Sequence, residues 1–161
     1  MPDSPATDRT VLYAEDDPND AFFMRHAFTK LNGAVTLNIV SHGRAAIDYL
    51  SGAGEYGDRS RYPLPMLLLL DVKMPERSGL EVLSWVRSRP EFTALPVLMF
   101  TSSSQQTDIA SSRSLGANAY LVKPSNAANL YLLMQDILKV LATGLPGHGR
   151  FPIKENLLAF G

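Results

Sequence analysis

The feature that most constrains the fold of this 161-residue chain is a fivefold alternation between short apolar segments and segments of helical period. Strands that alternate with helices in this way are typical of a parallel sheet covered by helices. The chain is too short for two ordinary domains. We therefore predict one α/β domain, with strands at 10–14, 32–40 (after a turn), 65–70, 96–100 and 119–122, and helices at 17–31, 44–51, 79–88, 105–115 and 127–141.

Polar side chains follow four of the predicted strands at the point where each strand ends. Glu15 and Asp16 follow the first strand, and Asp71 follows a run of four leucines that is typical of a strand buried on both faces. Thr101 and Lys123 follow the fourth and fifth strands. Ligands of open α/β sheets bind at the carboxyl ends of the strands. We therefore expect these five residues to line one crevice.

Three carboxylates in one crevice need cations. At an effective dielectric constant near 20, like charges about 4 Å apart repel by about 4 kcal/mol. The ammonium of Lys123 and a divalent ion would balance the charges of Glu15, Asp16 and Asp71, and oxygen ligands with room for water suit Mg²⁺. An aspartate nucleophile, a metal and a cation are what phosphoryl transfer requires, and the Thr101 hydroxyl could bind the product.

Four segments in order resemble the landmarks of the receiver domain of two-component response regulators: VLYAEDDPND, LLLLDVKMPERSG, LPVLMFTSSS and GANAYLVKPS. The resemblance covers residues 10 to about 141. The first segment and the long loop before the third strand are most similar to stand-alone receivers associated with phytochrome-type histidine kinases. The resemblance implies a flavodoxin-like (βα)5 three-layer sandwich with parallel strand order 2-1-3-4-5.

The resemblance also implies a role for each matching residue at the acidic end of the crevice. Asp71 would be the phosphoacceptor. Glu15, Asp16, Asp71 and the backbone carbonyl of Lys73 would hold Mg²⁺, with Asp16 as a direct ligand and Glu15 acting partly through water.

The switch residues follow from the same resemblance. Lys123 and Thr101 would bind the phosphoryl group, and the small Ser102 would leave access to the acceptor open. Tyr120 would change rotamer with Thr101, and Pro124 would follow Lys123 through a cis peptide bond. Phosphorylation would thereby reshape the face formed by the fourth helix, fifth strand and fifth helix.

The function implied is that of a single-domain, non-enzymatic response regulator. It would accept a phosphoryl group on Asp71 from a sensor histidine kinase or from a phosphotransfer protein. The similarity to phytochrome-associated receivers favours a kinase of the phytochrome type. The phosphorylated regulator would then act on a downstream protein. The balance of 15 basic and 16 acidic residues gives no electrostatic case for nucleic acid. The absence of cysteine and of a targeting or membrane-spanning segment favours the cytoplasm. A homodimer through the output face is left open, because that face carries few charges.

Two other functions fit part of the pattern. A Mg²⁺-dependent phosphohydrolase of the haloacid dehalogenase type also has an aspartate nucleophile after an apolar strand. That class needs a second acid two residues later, where this chain has Lys73. A receiver fold used as an unphosphorylated scaffold would not need Glu15, Asp16, Asp71, Thr101 and Lys123 together. A phosphorylation-switched binding module is therefore favoured.

Simpler roles are assigned to three polar residues. Asp17 and Asp20 are interpreted as residues that favour the start of the first helix through capping and the helix dipole, with Pro18 at its first position. Ser104 is predicted to cap the fourth helix.

Three segments lie outside the repeating pattern. Residues 51–65 are predicted to form a long surface loop. Its GAGEYG matches a dinucleotide-binding fingerprint but follows a helix and precedes prolines, so a flexible loop is favoured. Residues 1–9 are predicted to be an extension and 142–161 a tail, in which 153–160 would form a short helix or an extended arm on the domain.

Overall fold

The structure is a computed structural model that describes residues 9–31, 35–142 and 157–159. Five parallel strands form the sheet: β1 (Thr10–Ala14), β2 (Thr36–Val40), β3 (Leu67–Leu70), β4 (Val97–Thr101) and β5 (Ala119–Val122). They are connected by α1 (Pro18–Thr29), α2 (Gly43–Ser51), α3 (Gly79–Ser88) and α4 (Gln106–Ser114), and α5 (Ala127–Ala142) follows β5. The order β2-β1-β3-β4-β5 confirms the predicted fold.

The sheet separates two apolar cores. Helices α1 and α5 pack on one face, where Met24, Phe28 and Ile137 are buried. Helices α2 and α3 pack on the other face, where Tyr49 and Leu83 are buried. No helix in the described parts of the chain is long and apolar enough to cross a membrane.

Strand β3 explains the run of four leucines. Leu67 and Leu69 join the core under α1 and α5, whereas Leu68 and Leu70 join the core under α2 and α3. All four are at most 1% exposed. Burying a leucine side chain contributes about 1.5–3 kcal/mol, so this strand is an anchor of the fold. The next residue, Asp71, is therefore held at a fixed place on the edge of the sheet.

A glycine brings helix α3 against the end of β3. A Cβ atom added at Gly79 would lie 1.9 Å from the backbone oxygen of Asp71. The Gly79 N–H also donates to the carbonyl of Val72 at 2.8 Å. No side chain fits at position 79, and the close approach of α3 fixes the backbone of Asp71.

The predicted loop at 51–65 packs against the end of α2. It contains a short 3₁₀ helix (Gly54–Gly57), and the rings of Tyr49, Tyr56 and Tyr62 pack together with centroids 4.9–5.8 Å apart. Arg59 donates to the carbonyls of Tyr49 and Leu50 at 2.8 and 2.9 Å, at the end of α2. The predicted surface loop is present, and the arginine and the rings tie it to the helix.

The glycines of the dinucleotide-like motif end a helix instead of opening one. Gly52 is the C-cap residue of α2 and has a left-handed backbone with φ of 74°. Glycine is favoured there because it has no Cβ to clash. The interpretation of this motif as a loop is consistent with that position.

Two helix-terminus predictions have different outcomes. Asp17 caps α1 as predicted, accepting from the N–H of Asn19 at 2.8 Å, with Pro18 in the first turn. The cap assigned to Ser104 is wrong, because the residue before α4 is Gln105 and its side chain makes no capping bond. The Ser103 hydroxyl instead accepts from the Gln105 N–H at 3.3 Å and donates to Asp108 at 2.8 Å.

The tail contributes a sixth strand, β6 (Leu157–Ala159), which pairs antiparallel with β5. Of the two forms predicted for 153–160, these three residues adopt the extended one. Pairing places Leu158 opposite Tyr120. Residues 1–8 of the predicted extension and 143–156 and 160–161 of the predicted tail lie outside the described residues.

Candidate functional site

The carboxyl ends of β1, β3, β4 and β5 meet at one crevice. The predicted residues Glu15, Asp16, Asp71, Thr101 and Lys123 all line it. Further lining residues are Asp17, Asp20, Lys73, Ser102, Ser103, Ser104 and Gln105. The predicted convergence of distant segments is therefore present.

Lys123 is the centre of the crevice. Its ammonium donates to Glu15 Oε2 at 2.7 Å, to Asp20 Oδ2 at 2.8 Å and to Asp71 Oδ2 at 2.9 Å. An ammonium has three N–H donors, so each carboxylate uses one. Burial opposes the charged form, but these three bonds raise the pKa of Lys123 above its ordinary value. The lysine therefore stays charged at neutral pH.

Glu15 is a buried carboxyl held on both oxygens. Its Oε1 accepts from the Asp17 N–H and its Oε2 from the hydroxyl of Tyr13, both at 3.0 Å. Burial, reinforced by the neighbouring Asp71, raises the pKa of Glu15 to about 7. Burial also raises the pKa of Tyr13 far above its usual range, so the phenol remains a donor. Glu15 can therefore carry a proton near neutral pH.

The pKa of Asp71 is shifted in the opposite direction to that of Glu15. Burial would raise its pKa, but hydrogen bonds with Glu15 and Lys123 and the charge of Lys123 lower it below its ordinary value. Hydrogen bonding with the Thr101 hydroxyl adds to that lowering. Asp71 is thus an ionised carboxylate at 7% exposure, which is the state needed in a nucleophile.

Glu15, Asp16 and Asp71 form a candidate metal group. Each offers a carboxylate oxygen, and these oxygens lie within 4.8 Å of one another. Glu15 and Asp71 are buried, whereas Asp16 is exposed and open to water. Hard oxygen donors with solvent access suit a divalent cation such as Mg²⁺, Mn²⁺ or Ca²⁺. The donor set fits the predicted class of metal.

The predicted switch residues lie beside this group. Thr101 is 2% exposed at the end of β4, and its hydroxyl oxygen accepts from the Ser103 N–H at 3.3 Å. Tyr120 is fully buried, and its hydroxyl donates to the Ser103 carbonyl at 2.8 Å. Ser102 is exposed at the mouth of the crevice. Thr101 and Tyr120 therefore both contact the backbone of one loop residue.

Pro124 follows Lys123, but the peptide bond between them is not cis as predicted. No cis peptide bond occurs among the described residues, so the Lys123–Pro124 bond is trans and that prediction is wrong here. The trans form of an X–Pro bond is intrinsically favoured by about 0.5–1 kcal/mol. Lys123 contacts its three carboxylates from this backbone.

Sequence reasoning missed two residues of the site. Asp20 lies in the first turn of α1 as expected, but its carboxylate also binds Lys123. It follows Asp16 by four residues, but Asp16 precedes α1, so this spacing does not place the two side chains on one helix face. Tyr13 precedes Glu15 by two residues, a spacing that puts both on one face of a strand. Only the spacing of Tyr13 and Glu15 was a signal present in the sequence.

Comparison with known proteins identifies the class to which this site belongs. The family described as the response regulator receiver domain matches residues 11–135. The chain belongs to that family. The resemblance inferred from the four sequence segments is thereby confirmed.

Individual relatives show which members of the family this chain is similar to. The response regulator Rcp1 of Synechocystis sp. is 31% identical over 137 residues, which cover 85% of this chain and 91% of Rcp1. The phosphorylated cyanobacterial phytochrome response regulator RcpA has a TM-score of 0.77 and 28% identity, covering 85% of this chain and 96% of RcpA. The Mn²⁺-bound form of Rcp1 has a TM-score of 0.74 and 29% identity, covering 86% and 97% of the two chains. The chain is thus similar to phytochrome response regulators.

Proposed function

We propose that this receiver accepts one phosphoryl group on Asp71 from a sensor histidine kinase and signals through its α4–β5–α5 face. The observation that carries the proposal is the state of Asp71. It is a buried, ionised carboxylate that lies 2.9 Å from the Lys123 ammonium and belongs to a group of three metal-binding carboxylates. These are the nucleophile, the cation and the metal ligands of phosphoryl transfer.

The proposed metal is Mg²⁺, with the Lys73 carbonyl as a further ligand. Mg²⁺ bound to Glu15, Asp16 and Asp71 would neutralise charge on the phosphoryl oxygens. The lining of the crevice by Lys73 and the Mn²⁺ bound by the relative Rcp1 support a divalent ion at this place.

The residues of this chain would perform the remaining steps. A carboxylate oxygen of Asp71 attacks the phosphorus, the bond to the donor nitrogen breaks, and that nitrogen keeps the electron pair. The product is an acyl phosphate that adds up to two negative charges. Lys123 then binds a phosphoryl oxygen, and Thr101 donates its hydroxyl to another. The exposed Ser102 leaves the approach open.

The signal would leave the site through the loop after β4. Movement of the Thr101 hydroxyl toward the phosphoryl group breaks its contact with the Ser103 N–H, and Ser103 holds Tyr120 through its carbonyl. Tyr120 lies on β5, so this contact links the acceptor to the output face. A downstream protein, or a second copy in a homodimer, would bind that face.

The similarity to Rcp1 and RcpA favours a phytochrome-type kinase as the phosphodonor. The proposal includes a cytoplasmic location, where an ATP-dependent kinase domain would meet the receiver. It also assigns no catalytic turnover to the protein beyond its own phosphorylation and dephosphorylation.

The direct test is incubation with acetyl phosphate and Mg²⁺ followed by intact mass measurement. We expect the mass of one added phosphoryl group, which base removes and which is absent with Asp71→Asn or with excess chelator. Asp48→Asn, on the outer part of α2, is the matched control and should be phosphorylated normally. Phosphorylation that persists in Asp71→Asn, or sustained release of phosphate from many substrates, would contradict the proposal.

A further inference from the structure

The Lys123 ammonium has no N–H donor left for a phosphoryl oxygen. Its three donors are taken by Glu15, Asp20 and Asp71, at 2.7–2.9 Å, and its side chain is 11% exposed. Two of these carboxylates, Glu15 and Asp71, belong to the candidate metal group. Asp20 does not, and it comes from the first turn of α1. If Lys123 is to bind a phosphoryl oxygen, one of the three bonds must break.

Asp71 itself becomes the acyl phosphate in the proposed reaction, so the comparison is between Glu15 and Asp20, and Asp20 gives way at the lower cost. Glu15 is 1% exposed and also accepts from Tyr13 and the Asp17 N–H, so it is held in place. Asp20 is 35% exposed, and Lys123 is the only side-chain hydrogen-bond partner recorded for its carboxylate in the described part of the chain. Water can therefore replace the lysine at Asp20 but not at Glu15.

We propose that Asp20 is a positioning residue that competes with the phosphoryl group for Lys123. The proposal rests on the function assigned to Asp71 above. In the unphosphorylated protein Asp20 holds the ammonium at the α1 side of the crevice. A phosphoryl group must displace Asp20 from Lys123, and the negative charge of Asp20 also repels it. Both effects act in the same direction, so Asp20 weakens binding of the phosphoryl group.

Two substitutions separate this contact from general electrostatics. Asp20→Asn removes the charge of Asp20 with little change of shape. Asp17→Asn is the control, because it removes one negative charge three residues before Asp20. Asn caps a helix as well as Asp does, so the start of α1 should be preserved. The Asp17 carboxylate accepts from the Asn19 N–H and has no recorded bond to Lys123 among the described residues. Only Asp20→Asn should release the lysine.

The test is the affinity for beryllofluoride, a phosphoryl mimic, measured by calorimetry at a fixed saturating Mg²⁺ concentration. A partly exposed ion pair of this kind corresponds to an effect of up to about fivefold in an equilibrium constant. We expect Asp20→Asn to bind the mimic about threefold to fivefold more tightly than the wild type. Asp17→Asn should stay within about twofold of the wild type, and Asp20→Glu, which restores the charge, should do the same.

Mg²⁺ affinity without the mimic provides the second measurement. A long-range charge effect or a general structural effect would alter the Mg²⁺ affinity similarly in Asp20→Asn and Asp17→Asn. Equal mimic affinity in those two variants, or weaker binding by Asp20→Asn, would overturn the role of Asp20 while leaving the acceptor function intact. Failure of the wild type itself to bind the mimic with Mg²⁺ would overturn both proposals.

Discussion

Replacing Lys123 by methionine tests whether its ammonium balances the carboxylates of the crevice. The substitution keeps most of the side-chain volume but leaves Glu15, Asp20 and Asp71 without their shared cation. Removing one partner of a buried ion pair costs about 3–5 kcal/mol. Glu15 and Asp71 are at most 10% exposed and count fully, whereas Asp20 is 35% exposed and its share is screened by solvent. We therefore expect a loss near the lower end, about 3 kcal/mol, at pH 8.

The loss should depend on pH in a defined direction. Without the ammonium, repulsion between Glu15 and Asp71 raises the pKa of Glu15 further in the folded state, and the pKa of Asp71 is no longer lowered by Lys123. Stability from a carboxyl with a raised pKa is present below its unfolded value, near 4.5 for Glu15, and is lost as pH rises through the folded value. The wild-type folded value for Glu15 is already about 7. The variant should thus lose less at pH 5, where the missing contribution is mainly that of the lowered pKa of Asp71, than above pH 7, where Glu15 must also ionise.

Denaturation by urea at pH 5 and pH 8, in the presence of a chelator, measures both effects. Added Mg²⁺ at 100 times its dissociation constant should return about 2.7 kcal/mol, because it binds only the folded protein. Lys30→Met, at the exposed C-cap of α1, is the control and should lose under about 1 kcal/mol. A loss by Lys123→Met below about 1 kcal/mol at pH 8, or an equal loss at both pH values, would refute the assigned charge balance.

Three further predictions follow from the site and its supports. Mg²⁺ affinity should increase between pH 6 and pH 8, because metal binding favours ionised Glu15 with its pKa of about 7; titrations of Glu15→Gln should show a flatter profile. Gly79→Ala should lose about 1–3 kcal/mol and most phosphorylation, because its Cβ would meet the Asp71 carbonyl, whereas Gly57→Ala, with its nearest contact at 3.2 Å, should lose less; urea unfolding and intact mass would show this. Arg59→Ala should speed hydrogen exchange within 52–62 while leaving phosphorylation unchanged, because the guanidinium ties that loop to α2.

The elements that sequence predicts best are those whose ends carry local chemical signals. Strand β1, helix α3 and strand β5 have the predicted bounds to the residue. Ser78 explains the start of α3, because its hydroxyl accepts from the Glu81 N–H at 3.2 Å. Where the signal was ambiguous the boundary moved. The serines before α4 all have capping side chains, and only the tertiary structure shows that Ser103 binds Gln105 and Asp108.

Strand β6 could not be predicted as a strand because its pairing is purely tertiary. Three residues are too few to show a period of two, and their partner β5 lies about 38 positions earlier in the chain. The order of the folded loop at 51–65 has a similar origin. Arg59 binds carbonyls nine and ten residues away, which no local pattern announces.

The convergence of the predicted residues at one crevice could be predicted because parallel strands bring their carboxyl ends together, and that topology follows from the alternating pattern. The place of Asp20 depends instead on how α1 is rotated against α5, which is set by packing of residues such as Met24 and Phe28. A helix rotated differently would present Asp20 to water, where it would only favour the first turn. Because Asp16 precedes the helix, the sequence gives no local indication that Asp20 meets Lys123.

Including Asp20 changes the charge balance inferred from sequence. Four carboxylates, Glu15, Asp16, Asp20 and Asp71, now share the crevice with the Lys123 ammonium, which contacts three of them, so a bound divalent ion leaves one negative charge unbalanced among these groups. Before a metal ion binds, a proton on Glu15 reduces the negative charge of the crevice, and the raised pKa of Glu15 makes such a proton available near pH 7. Exposure of Asp20 to solvent provides a second route, because water screens the charge that is least buried. The crevice therefore combines a fixed cation with two adjustable groups, and Asp71 remains the carboxylate whose ionised form is favoured.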